Sequence, residues 1–253
     1  MGDRFCVYTC LIADYERLNE QPVAAGSKID FICFTDNGDL KSKTWKVVKI
    51  APTFVKDPVR SQRVIKLSPQ DFCGDYDTSL YIDNSVILIT KPEDIFERYK
   101  EHWDFLIPTH SYRESLVDEF REIVRLSLDD PSRVDEQLSH YRDADPNCLS
   151  EKPYWSAIQI RRHNNPHTRH ALRFWLAQVL RYSRRDQLSS NYAFRQVGVA
   201  PHRLNIDTFS SWFHAWPVCS ERKNEIRTFK QPLPRRALSR LRHEARSVLS
   251  FLT

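Results

Sequence analysis

Glycine is scarce in this chain, with five in 253 residues. They form neither a G-x-G-x-x-G nor a P-loop pattern, so a glycine-rich phosphate cradle is excluded. The six cysteines include no C-x-x-C pair, which argues against a thiolate zinc site and favours buried free thiols. The G-x-S-x-G elbow of hydrolases is also absent. A nucleotide bound here would need cations or a metal to hold its phosphates.

Long hydrophobic runs are missing as well. No apolar stretch approaches the roughly 18 residues that a membrane-spanning helix requires. The N-terminus carries no signal-peptide pattern, so the sequence predicts a cytoplasmic protein. Hydrophobic residues make up 41% of the chain, which supports a folded core rather than global disorder.

Acidic residues are scarce in the last third of the chain. Residues 161–253 contain 18 Lys and Arg against 5 Asp and Glu, whereas residues 1–160 contain 20 against 28. Sixteen of the 18 later cations are arginine, whose planar fork suits phosphate and carboxylate. This excess of positive charge predicts an anionic partner, such as a phosphorylated ligand or a membrane surface. Nucleic acid is disfavoured because no recognition motif accompanies the charge.

The end of the chain predicts a separate element. A proline-containing linker at residues 230–234 precedes a basic amphipathic helix that runs from Arg235 to Leu252. We therefore expect one domain over residues 1–229 and a tail helix over 230–253. The tail helix is suited to an anionic membrane surface on the cytoplasmic side. Packing on the domain with a solvated basic edge explains the pattern equally well.

Apolar segments of strand and helix type alternate along the domain, which predicts an α/β architecture with helices flanking a sheet. The predicted strands cover residues 4–12, 29–35, 45–50, 80–88, 105–108 and 155–160. The predicted helices cover residues 61–67, 91–99, 116–128, 134–141 and 168–182. A polar turn is predicted directly after the last strand, over residues 161–166.

Polar side chains follow several of the predicted strands. Asp83, Asn84 and Ser85 interrupt an apolar run, and Thr9, Asp14, Asp36 and His110 follow other strands. Such positions gather at the carboxyl edge of a parallel sheet, where ligands bind. The 83–85 stretch predicts one of two features. It is either a metal–diphosphate site of the Asp-x-Asp type, in which a serine replaces the second acid, or a strand-end turn capped by Asp and Asn.

Two further groups could carry chemistry. Arg63 and Lys66 are neighbours on a predicted helix, where they either meet a diphosphate or form a solvated face. In the segment 183–189, Asp186 is a candidate base or hydroxyl-binding group, and Gln187 a candidate donor to a polar transition state. The alternative is a helix end with a new N-cap at Asp186.

The histidines offer weaker candidates for a metal site. His163, His167 and His170 have spacings of four and three, yet no carboxylate or cysteine lies near them, so surface positions are favoured. His202 and His214 are candidate late ligands, because a neutral imidazole can complete a carboxylate-bound Mn²⁺ shell.

In their order, the motifs of residues 4–195 resemble the glycosyltransferase-like domain family of bacterial polysaccharide loci and plant Golgi proteins. The blocks at Ile82-Asp83-Asn84 and Ser183-Arg184-Arg185-Asp186-Gln187 are the most specific parts of the resemblance. The other matching segments are Val7 to Thr9, Phe31 to Asp36, Arg60 to Lys66, His110 to Arg113, Glu119, Gln137 to Tyr141 and Arg161 to Asn164.

The resemblance implies a GT-A fold, with a nucleotide-sugar half over about residues 1–110 and an acceptor half over 111–229. It implies catalytic roles for Asp186 and Gln187 and, together with the late histidine, a Mn²⁺ or Mg²⁺ site at Asp83, Ser85 and His214. The residues expected to bind the nucleotide sugar are Thr9, Asp14, Asp36, Arg60, Arg63, Lys66, Asp83, Asn84, His110, Arg184 and Arg185.

The expected activity follows from this resemblance. The protein would transfer a sugar from a nucleotide-diphosphate donor to a glycan or lipid-linked acceptor in surface polysaccharide synthesis. The alternative is a carbohydrate- or nucleotide-binding protein without turnover. Replacing Asp186 with alanine is expected to abolish transfer while the fold stays intact.

Overall fold

The computed structural model describes residues 3–218, in which strands and helices alternate as predicted. The strands are β1 (Phe5–Leu11), β2 (Asp30–Thr35), β3 (Lys46–Lys49), β4 (Thr78–Ile82), β5 (Ile87–Leu88), β6 (Phe105–Pro108), β7 (Ile158–Arg162), β8 (His202–Leu204) and β9 (His214–Ala215). The helices are α1 (Pro58–Leu67), α2 (Pro69–Phe72), α3 (Pro92–Arg98), α4 (Leu116–Arg125), α5 (Pro131–Ala144), α6 (Asn147–Ser150), α7 (Pro166–Arg181) and α8 (Gln187–Gln196). The predicted tail helix from Arg235 to Leu252 lies outside the described residues.

Seven strands form one mixed sheet in the order β3-β2-β1-β4-β7-β6-β8. Six of them run parallel, and β7 lies antiparallel between β4 and β6. The carboxyl ends of β1, β2, β4 and β6 therefore share one edge, called the carboxyl edge below. Strands β5 and β9 pair in a separate two-stranded sheet. This architecture confirms the predicted mixed α/β sheet flanked by helices.

The core lies on both faces of the sheet. Along β4, Leu80 and Ile82 pack into one apolar cluster, whereas Tyr81 points to the other face. This alternation follows from the two-residue period of a strand. On the Tyr81 face, Ile65 of α1 packs against the sheet. Helix α1 is thereby held under the carboxyl edge of β4.

The start of α1 is encoded locally. Asp57 caps the helix by accepting a hydrogen bond from the Arg60 amide at 3.0 Å, and Pro58 occupies the first turn. The same order of cap and proline begins α7 at Asn165. The cap fixes which residues of α1 face inward, and both Arg63 and Lys66 are buried.

The prediction of one strand over residues 80–88 is wrong. Strand β4 ends at Ile82, and a turn closed by the Val86 amide on the Asp83 carbonyl, at 2.9 Å, leads into β5. Asn84 causes the break, because it accepts from the Asn19 amide at 2.8 Å and donates to Glu16 and the Arg17 carbonyl. The chain after Asp83 is thus tied to a distant loop instead of to a neighbouring strand.

The predicted polar turn at residues 161–166 is wrong at its first two positions. Arg161 and Arg162 belong to β7, and Arg161 is fully buried. Arg161 donates to the Lys66 carbonyl at 2.6 Å and to the Tyr8 hydroxyl. The Gln159 side-chain oxygen accepts a further bond from Arg161 at 3.1 Å, so both terminal nitrogens of the buried guanidinium are hydrogen-bonded. Arg161 consequently joins β7 to the end of α1.

His163 was predicted at the surface, but the structure buries it at 7% exposure. Its Nδ1 lies 2.8 Å from the Tyr76 carbonyl and its Nε2 lies 2.8 Å from the Ser79 hydroxyl. Burial, with a smaller contribution from Arg161, lowers the pKa of His163 to about 4. The folded chain therefore holds this imidazole neutral.

We expect the free energy of unfolding to fall as pH decreases from about 6.5 to 4. In this window the unfolded His163 binds a proton that the folded residue does not, and the linked loss reaches about 3 kcal/mol. His110, whose pKa burial also lowers to about 4, adds to the slope. Urea unfolding at several pH values gives the free energy of unfolding as a function of pH. This dependence on pH should be weaker for His163→Gln than for the unaltered chain. Identical slopes would contradict the prediction.

Candidate active site

Four charged side chains meet at the carboxyl edge and form what we call the ion cluster: Asp83, Lys66, Asp186 and Arg63. Lys66 Nζ lies 2.8 Å from Asp186 Oδ2 and 3.3 Å from Asp83 Oδ1. Arg63 Nε lies 3.2 Å from Asp186 Oδ1. Lys66 is fully buried and the Asp186 side chain is 4% exposed, whereas that of Asp83 is 31% exposed. The cluster therefore reaches solvent mainly through Asp83.

Three separate elements bring the cluster together. Arg63 and Lys66 lie three residues apart on one face of α1. Asp83 directly follows β4, and Asp186 directly precedes α8, where its carbonyl accepts a 2.8 Å bond from the Trp175 indole. The structure thus brings together four residues that were predicted from three separate motifs.

Two neutral side chains that were not predicted complete the cluster. The Tyr81 hydroxyl donates to Asp83 Oδ1 at 2.6 Å, and the Ser156 hydroxyl donates to Asp186 Oδ2 at 3.0 Å. Tyr81 could have been found, because residues two apart on a strand share a face. No local signal marks Ser156, which reaches the site only through the fold.

The surroundings of Asp186 decide its chemistry. Burial on its own would raise the pKa of Asp186, but the charges of Arg63 and Lys66 hold it well below its usual range. The carboxylate is ionised at every physiological pH and is a weak base. Its position therefore favours stabilising positive charge or accepting a substrate hydroxyl over removing a proton.

Gln187 provides an unused hydrogen-bond donor beside this carboxylate. Its Nε2 is buried and has no partner among the residues that the structure describes. Buried polar atoms are rarely left unpaired, and exceptions occur at ligand sites. The Asp186-Gln187 step thus presents a fixed negative charge and a free amide side by side.

The loops after β1 and β2 are joined at the same edge. Asp36 accepts a bond from the Ala13 amide at 2.9 Å, and Asp14 accepts from the Asn37 amide group at 2.9 Å. Asp14 and Asp36 therefore lie where the sequence placed them. Thr9 does not follow the strand as predicted: it lies inside β1 and is fully buried. Its position along the strand was misjudged by two residues.

Arg60 and Arg184 lie in a supporting network outside the ion cluster. Arg60 pairs with Asp57 at 2.6 Å and donates to the Tyr182 carbonyl at 2.7 Å. Arg184 pairs with Asp129 at 3.3 Å and with Asp57 at 3.7 Å. These contacts hold α1 against the end of α7 and fix the loop that carries Asp186.

With this geometry in place, the comparison with known families is informative. Residues 8–215 match the model of the TOD1/MUCI70 glycosyltransferase-like domain. The chain belongs to this family. The match covers both the Asp83 turn and the Asp186-Gln187 step, so it includes the whole ion cluster. The resemblance inferred from the sequence motifs is confirmed, and membership of the TOD1/MUCI70 family supports a glycosyltransferase.

Two solved structures are similar to the chain at low identity. The apo structure of the bifunctional glycosyltransferase WbbM is 7% identical, with a TM-score of 0.46, and the match covers 81% of this chain and 39% of that one. Apo mouse xyloside xylosyltransferase 1 is 11% identical, with a TM-score of 0.47, covering 79% of this chain and 85% of that one. No curated protein sequence matches the chain.

The side chains predicted to bind a metal ion, Asp83, Ser85 and His214, are not arranged as a metal site. The Ser85 hydroxyl accepts a bond from the Trp216 indole at 3.1 Å. His214 uses Nδ1 on the Ser211 hydroxyl and Nε2 on the Thr208 carbonyl, at 2.7 and 3.2 Å. Within residues 3–218, no group of three or more His, Cys, Asp or Glu is placed to hold a metal. Lys66 is instead the cation that contacts Asp83.

Other predicted positions serve different environments. The Asn84 side chain is hydrogen-bonded to the loop at residues 16–19, so it positions the turn that carries Asp83.

His202 stacks on His102 with ring centroids 3.6 Å apart. Both rings line a cleft of about 370 Å³ that also contains Asp104 and His167. This cleft lies beside the starts of β6, β8 and α7, at the opposite edge of the sheet from the ion cluster.

Among the described residues, no helix is long and apolar enough to cross a membrane. The five cysteines in that range are buried and free, in agreement with the sequence prediction.

Proposed function

We propose that the protein transfers a sugar from a nucleotide-diphosphate donor to a glycan or lipid-linked acceptor. The observation that carries this proposal is the Asp186-Gln187 step, which sets an ionised buried carboxylate beside an unpaired amide at the carboxyl edge. Membership of a glycosyltransferase-like family supports the same reaction class. A role in surface polysaccharide synthesis at the cytoplasmic face of a membrane belongs to this proposal.

Each part of the site has a role in the proposed reaction. The bond from the anomeric carbon to the diphosphate oxygen breaks, the oxygen of the acceptor hydroxyl forms the new bond to that carbon, and the hydroxyl proton passes to the departing diphosphate. Positive charge develops on the sugar, and the Asp186 carboxylate would stabilise it. Gln187 would donate to the sugar. Asp14 and Asp36 stand where the nucleoside would bind, to one side of the ion cluster.

Lys66 and Arg63 have two linked roles in this proposal. They keep Asp186 ionised, and they place positive charge next to Asp83, where the departing diphosphate would gather charge. Arg185, half-buried and interacting electrostatically with the buried Glu119, adds a further cation on this side. A divalent ion would need ligands from the diphosphate in addition to Asp83.

A donor screen tests the proposal. Thermal unfolding should be followed with UDP-, GDP-, CMP- and TDP-sugars, each with and without Mn²⁺. A donor at about 100 times its Kd adds about 2.7 kcal/mol of stability, which raises Tm by about 5–10 °C in a chain of this size. A response only with Mn²⁺ would identify a metal-assisted donor complex. No shift with any nucleotide sugar would contradict the proposal.

The alternative, a binding protein without turnover, is favoured by one observation. Both oxygens of Asp186 already contact cations of the protein, so the negative charge of the carboxylate is balanced before any substrate binds. Product analysis after incubation with the donor identified in the screen separates the two functions. Release of free nucleotide supports the transferase, and binding without release over many hours supports the alternative.

A further inference from the structure

Two exposed aromatic rings lie close together beside the candidate active site. Tyr112 is 42% exposed and Phe209 is 49% exposed, and their ring centroids are 5.3 Å apart with planes inclined by 21°. The half-buried Trp216 follows, 5.7 Å from Phe209. We call these three residues the aromatic strip. Large apolar rings exposed side by side mark interaction sites more often than isolated surface residues do.

The strip is held rigidly by bonds between its two loops. The Ser111 amide donates to the Thr208 hydroxyl at 2.9 Å, and the Thr208 amide donates to the Ser111 hydroxyl at 3.1 Å. The Trp216 amide donates to the Phe209 carbonyl at 2.8 Å. The rings are therefore positioned before any ligand arrives, which lowers the entropic cost of binding.

One end of the strip is attached to the turn that carries Asp83. The Trp216 indole donates to the Ser85 hydroxyl at 3.1 Å, two residues beyond Asp83. The Val218 amide also donates to the Ser85 carbonyl, at 2.8 Å. The strip is thus bonded to the same turn that carries Asp83, the most exposed member of the ion cluster.

The other end leads back to Asp186. Arg113, next to Tyr112, pairs with Glu119 at 3.2 Å. Arg185, which directly precedes Asp186, interacts electrostatically with the same buried Glu119. Glu119 therefore connects the Tyr112 end of the strip, through Arg113 and Arg185, to the loop that carries Asp186.

A buried and unpaired polar atom lies against the strip. His110 is 3% exposed, and its Nδ1 has no hydrogen-bond partner in the described chain. Its ring meets Tyr112 edge to face with centroids 4.2 Å apart. Buried polar atoms normally have partners, so His110 offers an unused group to a polar ligand.

The sheet order separates the strip from the nucleoside side of the site. Asp14 and Asp36 follow β1 and β2, whereas His110 follows β6, which is three strands away from β1. At about 4.8 Å between neighbouring strands, this separation is about 14 Å. A base bound near Asp14 would not reach Tyr112, so the strip faces the acceptor side.

We propose that the aromatic strip binds the acceptor as a glycan, with the apolar face of a sugar ring on Tyr112 and Phe209. Polar groups at the margin, the Arg113 guanidinium and His110 Nδ1, would bond the sugar hydroxyls. Aromatic surface with a few placed polar groups is the usual composition of a small-molecule site. This inference rests on the proposed transferase function, because it assigns the second substrate of that site.

The test compares glycan binding by three variants of the full chain. Tyr112→Ala/Phe209→Ala removes the two exposed rings, and Phe209→Ala alone serves if the double variant unfolds. Trp212→Ala is the matched control, since Trp212 is 36% exposed and contacts Tyr99 outside the strip. The probe is an array of defined, unlabelled neutral and acidic oligosaccharides. Nucleotide-sugar binding is measured in parallel by thermal shift.

We expect the double variant to lose about tenfold or more in glycan affinity, as truncated aromatic anchors commonly do, while Trp212→Ala binds normally. Retained affinity in the double variant would overturn the proposal, and so would a wild-type chain that binds no glycan. If nucleotide sugars bind but glycans do not, the acceptor assignment alone fails. If no nucleotide sugar binds, the proposed function fails instead.

Discussion

Asp186→Asn should reduce sugar transfer about a thousandfold, because it removes the negative charge placed to stabilise the transition state. The same change leaves Arg63 and Lys66 buried without their shared carboxylate. Breaking a buried pair in this way costs about 3–5 kcal/mol of unfolding free energy. Initial rates with the identified donor and urea unfolding measure the two effects. The sequence-based expectation that Asp186 can be replaced without cost to the fold is revised by this burial.

Asp129→Asn is the matched control for this prediction. Asp129 is a buried carboxylate that pairs with Arg184 and accepts from the Ser183 hydroxyl, yet it lies outside the ion cluster. Asp129→Asn should lose a comparable amount of unfolding free energy, and its transfer rate should fall much less than that of Asp186→Asn, because Asp129 supports the loop of Asp186 without belonging to the ion cluster. If both variants lose transfer equally, the loss reflects misfolding, and Asp186 has no special role.

Lys66→Met should have the second largest effect. Among residues 3–218, Lys66 is the one cation that contacts both Asp83 and Asp186, and its ammonium also donates to the Ser156 hydroxyl at 3.1 Å. Its removal leaves two carboxylates facing each other across an apolar methionine. We expect a loss of about 3–5 kcal/mol in unfolding free energy and at least about a hundredfold loss in transfer.

A double-mutant cycle shows whether this loss comes from the cluster. Lys66→Met combined with Asp186→Asn should be less destabilising than the sum of the two single changes, by about 1–3 kcal/mol, because the uncompensated charges are removed together. The exposed pair of Lys100 and Glu97 supplies a control, and Lys100→Met should leave unfolding nearly unchanged. Strict additivity of the Lys66 and Asp186 changes would argue against a direct interaction.

The features that the sequence predicts best are local. The carboxyl-edge positions of Asp14, Asp36 and Asp83 follow from strands that end in polar residues, and the helix predicted from residue 61 is present as α1, which begins three residues earlier at Pro58. Hydrophobic alternation marks these strands without knowledge of their neighbours. For this reason the positions of Asp14, Asp36 and Asp83 could be predicted from the sequence.

The features that the sequence misses depend on distant partners. Arg161 sits in a polar-looking run, yet it is buried because the Tyr8 hydroxyl and the Lys66 carbonyl accept its hydrogen bonds. Arg63 and Lys66 were expected either to meet a diphosphate or to form a solvated face, whereas the structure buries them and pairs them with Asp186, more than a hundred residues later. Periodicity reports which face is buried, but it does not report which charges meet there.

The most direct test of the ion cluster is a crystal structure with a non-transferable analogue of the donor identified in the screen. Our account predicts that the sugar lies at the carboxyl edge, within about 3 Å of the side chains of Asp186 and Gln187. The nucleoside should lie toward Asp14 and Asp36. A donor bound at the opposite edge, in the cleft beside His102 and His202, would contradict the account.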